Sequence, residues 1–235
     1  MIDVYDSETQ DDYHTGYFGI ALARKDKQGK EHIIIASRGT ELNSLKDWSN
    51  DMKIVLGKIP KQIRCLRQFE RRIRMQYPNL KQIMFTGHSL GGTLSLLSYT
   101  KSSWKKDSLA VGFDSTGIDE SIKKMKIDLN KLDRSRMITL NAAKNMVNNI
   151  QKPICRTIIV DNGREGDVRR SHKIAEIRRA FTEDGRVRML TEEQQKQLEN
   201  GGIRKKFGKY ETFGKLAALI YTVSGGEDEE EDKVV

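Results

Sequence analysis

The chain has 235 residues, of which 37% are hydrophobic and 32% are charged, and its formal net charge is +9. This length suits one domain with a sizeable buried core. No apolar run is long enough to span a bilayer, and the acidic N-terminus lacks the apolar segment of a Sec signal peptide. We therefore expect a soluble protein, cytoplasmic by default, with export by a non-Sec route left open.

The charge is unevenly distributed along the chain. Residues 227–232 read EDEEED, so the last nine residues carry −5, which leaves +14 on residues 1–226. We interpret 1–223 as a single domain and 224–235 as a disordered acidic tail. A basic body attracts anionic partners, so peripheral contact with an anionic membrane surface is expected. Nucleic acid is disfavoured, because no nucleic-acid-reading motif accompanies the charge.

Strand signals alternate with helical signals along the chain. The predicted strands are 16–24, 31–37, 82–86, 108–113, 136–140 and 156–160, and the first two form a hairpin. The predicted helices are 61–76, 93–101, 118–127, 172–181 and the less periodic segment 191–223. In a further helix-like stretch, Leu45, Trp48 and Met52 share one face. This alternation predicts an α/β fold with a mostly parallel sheet covered by helices on both faces.

A glycine-flanked serine follows the predicted strand 82–86, in the pentapeptide Gly87-His88-Ser89-Leu90-Gly91. A G-x-S-x-G pentapeptide alone is also compatible with a glycine-rich turn. The order strand, glycine turn, helix is that of a nucleophile elbow, in which the serine lies at the carboxyl edge of the sheet. The helix N-terminus there favours negative charge. The context therefore predicts that Ser89 is a nucleophile.

A serine nucleophile requires a base, and the chain has four histidines. In hydrolases with this elbow the base follows the nucleophile in sequence. His14 and His32 precede Ser89, and His88 lies inside the elbow, where its side chain points away from the serine. His172 is therefore the predicted base, and the alternative is a surface histidine near a helix N-terminus.

Metal and redox sites are not predicted. Cys65 and Cys155 fit no ligand or redox spacing and are expected to be free thiols. No His, Asp or Glu cluster has the spacing of a metal site. We therefore expect no metal and no other cofactor.

The segments IIIASRGTE, DWSNDM and FTGHSLGGTLSLL together resemble the class-three, fungal-type lipase family of α/β hydrolases, over roughly residues 16–182. The resemblance implies an α/β-hydrolase-type fold and a serine ester hydrolase that acts on lipid or other acyl esters. It also implies an oxyanion hole formed by Thr40 and the backbone N–H of Leu90. The stretch with Leu45, Trp48 and Met52 matches the position of the family's lid, with a core-packed helix as the alternative.

The chain departs from the family pattern near the predicted site. Asn145 stands where the family has its catalytic aspartate, and an amide oxygen can orient an imidazole but stabilises an imidazolium less well than a carboxylate does. Asp161 and Asp114, which each follow a predicted strand, are the alternative acids. The family's glycine–serine–proline stretch reads Asp114 to Gly117 here, and we expect a shortened start, because relatives carry a helix before the first strand. The second hypothesis is therefore a lipase-like module without turnover that binds membranes or proteins.

Overall fold

The computed structural model describes residues 1–10, 15–25, 31–39, 48–80, 82–102, 106, 108–142, 147, 150–160, 174–182, 186–189, 191, 193 and 209–212. The strands are β1 (Asp3–Asp6), β2 (Phe18–Lys25), β3 (Glu31–Ser37), β4 (Gln82–His88), β5 (Ser108–Phe113), β6 (Met137–Asn141), β7 (Arg156–Ile159), β8 (Arg186–Met189) and β9 (Lys209–Thr212). The helices are α1 (Ser7–Gln10), α2 (Trp48–Gln76), α3 (Leu90–Lys101), α4 (Asp119–Lys124) and α5 (Ile174–Arg178), and two 3-10 turns cover Leu129–Lys131 and Arg134–Arg136.

Strands β1 to β7 form one mixed sheet in which they lie in sequence order. β1, β2 and β3 pair antiparallel, and β3 to β7 pair parallel. The hairpin of β2 and β3 is confirmed, with Gly19 opposite Ser37 and Lys25 opposite Glu31. The connections from β3 to β6 all advance in the same direction across the sheet. When each is right-handed, as almost all such connections are, their helices α2, α3 and α4 lie on the same face.

Side-chain alternation along the strands divides the core between the two faces of the sheet. In β5, Ala110 contributes to one hydrophobic cluster and Val111 to the other. The first cluster joins the sheet to α2, α3 and α4 through Ile33, Ile35, Ile83, Phe85, Leu66, Phe69, Ile73, Leu94, Leu97 and Ile122. The second joins the opposite face to α5 and β8 through Val111, Phe113, Leu140, Ile158, Ile177, Ala180 and Val187.

The predicted fold class is confirmed: the protein has a mostly parallel α/β sheet with helices on both faces. The two faces of the sheet are covered by unequal numbers of the described helices. Three of the described helices cover the first face, whereas α5 and the neighbouring β8 cover the second. The sequential strand order explains this difference, because it places the crossover helices together.

Two elements differ from the helices predicted in the sequence. Residues 209–212 form β9, which pairs antiparallel with β8, so the prediction of a helix over 191–223 is wrong at these residues. The pairing partner, β8, lies about twenty residues upstream, and local periodicity does not report such a partner. Trp48 and Met52 belong to the N-terminal part of the 29-residue helix α2, so the helix predicted at 61–76 extends to them. Leu45 lies outside the described residues.

The N-terminal strand β1 is not predicted by the sequence pattern, since its four residues include two acids. A contact from a distant helix explains why it forms. Arg72 of α2 donates to both carboxylate oxygens of Asp3, at 2.7 and 2.9 Å, and to the carbonyl oxygen of Val4 at 2.6 Å. A bidentate arginine–carboxylate pair of this kind is one of the stronger polar contacts in proteins. It anchors β1 to α2, while the antiparallel backbone pairing holds β1 beside β2.

Both cysteines are free thiols, as predicted. Cys65 is fully buried beside the hydroxyl of Thr15, and burial raises the pKa of the Cys155 thiol to about 11. Cys155 is therefore protonated, and a weak nucleophile, at neutral pH. None of the helices within the described ranges combines the length and apolar character needed to cross a membrane. The predicted acidic tail lies outside the described residues.

Candidate active site

Ser89 has a strained backbone at the junction of β4 and α3. Its φ and ψ angles are 56° and −125°, a combination that non-glycine residues rarely adopt. The Ser89 N–H donates to the carbonyl oxygen of Phe113 (2.8 Å), and the Ser89 carbonyl accepts from the N–H of Thr93 (3.1 Å) and its hydroxyl (3.3 Å). Strain of this type persists only where surrounding contacts impose it, and it is concentrated at functional sites.

The two glycines that flank Ser89 allow α3 to approach the sheet. A Cβ atom on Gly91 would overlap the carbonyl oxygen of Ser37 on the neighbouring strand β3. A Cβ atom on Gly87 would lie 2.5 Å from both that oxygen and the carbonyl carbon of Gly91. No side chain fits at either position without moving backbone. The strand, turn and helix predicted around Ser89 are thus confirmed, together with the steric reason for the glycines.

Leu90 is the first residue of α3 and is buried. The first backbone N–H groups of a helix have no partner within the helix and can bind an anion. Leu90 directly follows Ser89, so its N–H is one of these first groups, and its role as an oxyanion donor stays a prediction.

The segment after β3 contacts the elbow directly. A Cβ atom on Gly39 would lie 2.8 Å from the carbonyl oxygen of His88 and 3.3 Å from Cβ of Ser89. Arg38 anchors this segment, because its N–H donates to the carbonyl oxygen of Phe18 (2.9 Å) and its guanidinium lies 4.8 Å from the centre of the Phe18 ring. Gly39, the residue before Thr40, is therefore in contact with Ser89.

Asp114 lies at the same edge of the sheet and is fully buried. It directly follows Phe113, whose carbonyl oxygen holds the Ser89 N–H, and its own φ is 41°. Its N–H donates to the carbonyl oxygen of Leu140 (2.9 Å), and its Oδ1 accepts from the N–H of Ala142 (3.0 Å). A buried carboxylate costs several kcal/mol unless polar contacts compensate it. Asp114 thus joins the ends of β5 and β6.

A set of buried hydroxyl groups supports the loop that follows β5. Thr93 of α3 contacts the hydroxyl of Thr116 at 3.0 Å and accepts from the Thr116 N–H at 3.2 Å. Ser115 contacts the hydroxyl of Thr139 at 2.9 Å, and that hydroxyl donates to Oδ1 of Asn141 at 3.0 Å. Sequence reasoning missed these supports. The run Asp-Ser-Thr-Gly after a buried strand is the signal that points to them.

The remaining predicted site residues, Thr40, Asn145, Asp161 and His172, lie outside the described residues and stay predictions. Of the predicted set, the structure places Ser89, Leu90 and Asp114 together at the carboxyl edge of the parallel strands. Across the described ranges, no three His, Cys, Asp or Glu side chains are grouped so that they could hold a metal ion.

Comparison with known families identifies the domain. A family model for Tle-like phospholipase domains matches residues 7–162, which extend from α1 past β7 and include the elbow. The chain belongs to this family. The predicted lipase-like domain is therefore confirmed, and the match places Ser89, Leu90 and Asp114 inside the phospholipase-like domain.

Solved structures similar to this phospholipase-like domain come from the fungus Rhizomucor miehei. Its triacylglyceride lipase is 15% identical with a TM-score of 0.44, and the match covers 69% of this chain and 67% of the lipase. A native complex of that lipase with its propeptide is 15% identical with a TM-score of 0.39, covering 63% of this chain and 54% of the other. A deletion mutant of the complex has the same identity and TM-score, and this chain spans 53% of its length. No curated protein matches the sequence.

Proposed function

We propose that this phospholipase-like domain is a serine ester hydrolase that cleaves acyl esters of lipids. The observation that carries the proposal is the backbone of Ser89, which is held at φ 56° between a buried strand and a buried helix. Membership of the Tle-like phospholipase domain family supports a lipid ester as the substrate. The basic body suits a phospholipid surface, because anionic headgroups attract positive charge.

In the proposed reaction, the Ser89 hydroxyl attacks the ester carbonyl while His172 accepts its proton. His172 then protonates the leaving alcohol; in the second half His172 takes a proton from water, which attacks the acyl-enzyme, and returns that proton to Ser89 as the fatty acid leaves. The N–H groups of Thr40 and Leu90 stabilise the tetrahedral oxyanion. One such donor is typically worth about 10²- to 10³-fold in kcat.

The third member of the site is proposed to be Asn145, whose amide oxygen would accept from the imidazole Nδ1–H and fix its tautomer. Asp161 is the second candidate and Asp114 the third. The hydrogen bond from the Ala142 N–H to Asp114 supports a positioning role for Asp114, since Ala142 begins the segment that leads to Asn145.

Three single substitutions separate these candidates. We expect Asn145→Ala to lower kcat by about 10²-fold if its oxygen orients His172, because misplacing a catalytic group by about 1 Å costs a loss of this size. Asp161→Asn and Asp114→Asn should then change kcat much less. The measurement is kcat for one soluble ester, with folding checked by circular dichroism. If all three variants are as active as the wild type, none of the three residues is the third member of the catalytic site.

A fluorophosphonate probe tests the proposed function directly, because it reacts with an activated serine and not with an inactive one. We expect stoichiometric labelling of Ser89, found by peptide mass spectrometry, and loss of labelling in His172→Ala. Ser98→Ala is the matched control, since Ser98 is a buried serine of the same helix and should leave labelling unchanged. The Cys155 thiol, with a pKa of about 11, should not compete.

The second candidate is a lipase-like module that binds membranes without turnover, and Asn145 in place of an aspartate is the observation that favours it. A folded wild-type protein that remains unlabelled, and that binds anionic vesicles without releasing fatty acid, would establish this candidate instead.

A further inference from the structure

A basic groove lies on the helix-covered face, away from the elbow. It has a volume of about 470 Å³ and lies between α2, the end of α3 and the end of α4. Its lining includes Ile63, Arg64, Arg67, Arg71, Lys101 and Met125. The groove thus combines four cationic side chains with apolar surface.

The three arginines of the basic groove form one row along α2. Arg64, Arg67 and Arg71 have the spacing i, i+3 and i+7, which places them on the same stripe of α2 over a length of about 10 Å. None of the lining residues within the described part of the chain is acidic. The neighbouring acid of α2, Glu70, is buried and accepts from the Ser102 hydroxyl at 2.7 Å, so its carboxylate is directed to the interior.

The basic groove is separate from the candidate active site. Lys101 and Leu90 are the last and first residues of the 12-residue helix α3, which places them about 16 Å apart along its axis. The groove therefore lies toward the amino ends of the parallel strands, whereas Ser89 lies at their carboxyl ends. A membrane resting on the groove would not face the serine, which favours a narrow occupant other than the substrate surface.

We propose that the acidic segment 227–232 of this same chain occupies the basic groove. The segment carries six carboxylates, and the groove is bordered by four basic residues, of which Arg64 and Arg71 are exposed and Arg67 and Lys101 are half-buried. β9 pairs with β8, which packs on the opposite face of the sheet, and the 14 residues between Thr212 and Glu227 span up to about 50 Å when extended, which compares with about 10 Å between packed layers. A tether of this length gives a local concentration of the order of millimolar, so individually weak ion pairs suffice.

The size of the groove sets how the segment binds. Six extended residues are about 20 Å long, twice the row of arginines, so three or four of the acids engage at one time. The bound segment covers positive charge that would otherwise attract anionic surfaces. This proposal is independent of the ester-hydrolase proposal, since it concerns another part of the domain.

Zero-length carbodiimide cross-linking of the full chain tests the proposal, because it joins a lysine amine to a carboxylate only when the two are in contact. We expect peptides that join Lys101 to residues 227–232, at a yield about fivefold above those that join Lys124, an exposed lysine outside the groove lining. The yield should fall in roughly 1 M salt, where the Debye length is about 3 Å. Equal yields at the two lysines, or a yield that salt leaves unchanged, would overturn the proposal.

Charge variants and isotope mixing complete the test. Arg67→Gln with Arg71→Gln should lower the Lys101 yield, and Arg24→Gln with Arg134→Gln, which removes the same charge outside the groove lining, should not. Folding is checked by circular dichroism.

In a mixture of light and heavy chains, the Lys101 links should join residues of the same isotope. Mixed-isotope links alone would overturn the proposal in favour of a second copy as the occupant.

Discussion

Replacing Ser89 by alanine is expected to lower kcat/KM for ester hydrolysis by about 10⁴-fold or more, since removal of a serine nucleophile leaves only substrate binding and the oxyanion donors. The measurement is the initial rate on short and long p-nitrophenyl esters and on phospholipid vesicles. Ser98→Ala serves as control, because Ser98 lies in the same helix and its hydroxyl is buried. Equal rates for Ser89→Ala and the wild type would refute the serine mechanism.

The same position provides a separate measure of backbone strain. At φ 56° a glycine is more stable than an alanine, so Ser89→Gly should have a free energy of unfolding about 1 to 2 kcal/mol above that of Ser89→Ala. Both variants lack the hydroxyl and should be equally inactive. Denaturant titration compares their stabilities. If they unfold at the same denaturant concentration, the strain assigned to this backbone is absent.

Substituting Gly91 by alanine should destabilise the domain by about 3 kcal/mol or more, because the new methyl group would overlap the carbonyl oxygen of Ser37. The contact is with backbone, which cannot rotate away as a side chain can. Either α3 moves from the sheet or β3 shifts, and both changes displace Ser89. We therefore expect loss of activity together with loss of stability.

Thermal unfolding measures the Gly91→Ala effect, with an expected drop in Tm of about 6 to 12 °C for a domain of this size. The Ser98→Ala control in the same helix should leave the free energy of unfolding unchanged or raise it by up to about 1 kcal/mol, since its buried hydroxyl has no hydrogen-bond partner among the described residues. A Gly91→Ala protein as stable as the wild type would show that α3 and β3 are farther apart than described.

Most of the parallel sheet could be predicted from the sequence because its strands are short apolar runs separated by helices. The strand predicted at 108–113 has the same bounds in the structure. The strand predicted at 82–86 begins where predicted and ends two residues later, at His88. The elbow was predictable for a steric reason, because glycines at the positions on both sides of Ser89 are needed where a strand turns sharply into a helix. The family match over 7–162 agrees with the lipase-like resemblance derived from the same segments.

Elements that depend on distant partners were not predictable in this way. β1 pairs with β2 and is anchored by Arg72, almost seventy residues away, which binds the Asp3 carboxylate. β9 pairs with β8, and nothing in the local periodicity of 209–212 reports that partner. The role of Asp114 likewise became visible only through the N–H of Ala142, which the sheet brings to its carboxylate.

The sequence by itself determined the α/β class, the position of the elbow and the nucleophile hypothesis for Ser89, because each follows from local periodicity or from a backbone conformation that glycine permits. Only the tertiary structure decided that Gly39 touches the elbow, that Asp114 joins the ends of β5 and β6, and that three arginines of α2 form a groove with Lys101. These features depend on contacts between residues far apart in the chain, whose free energy arises only when the sheet and its helices pack.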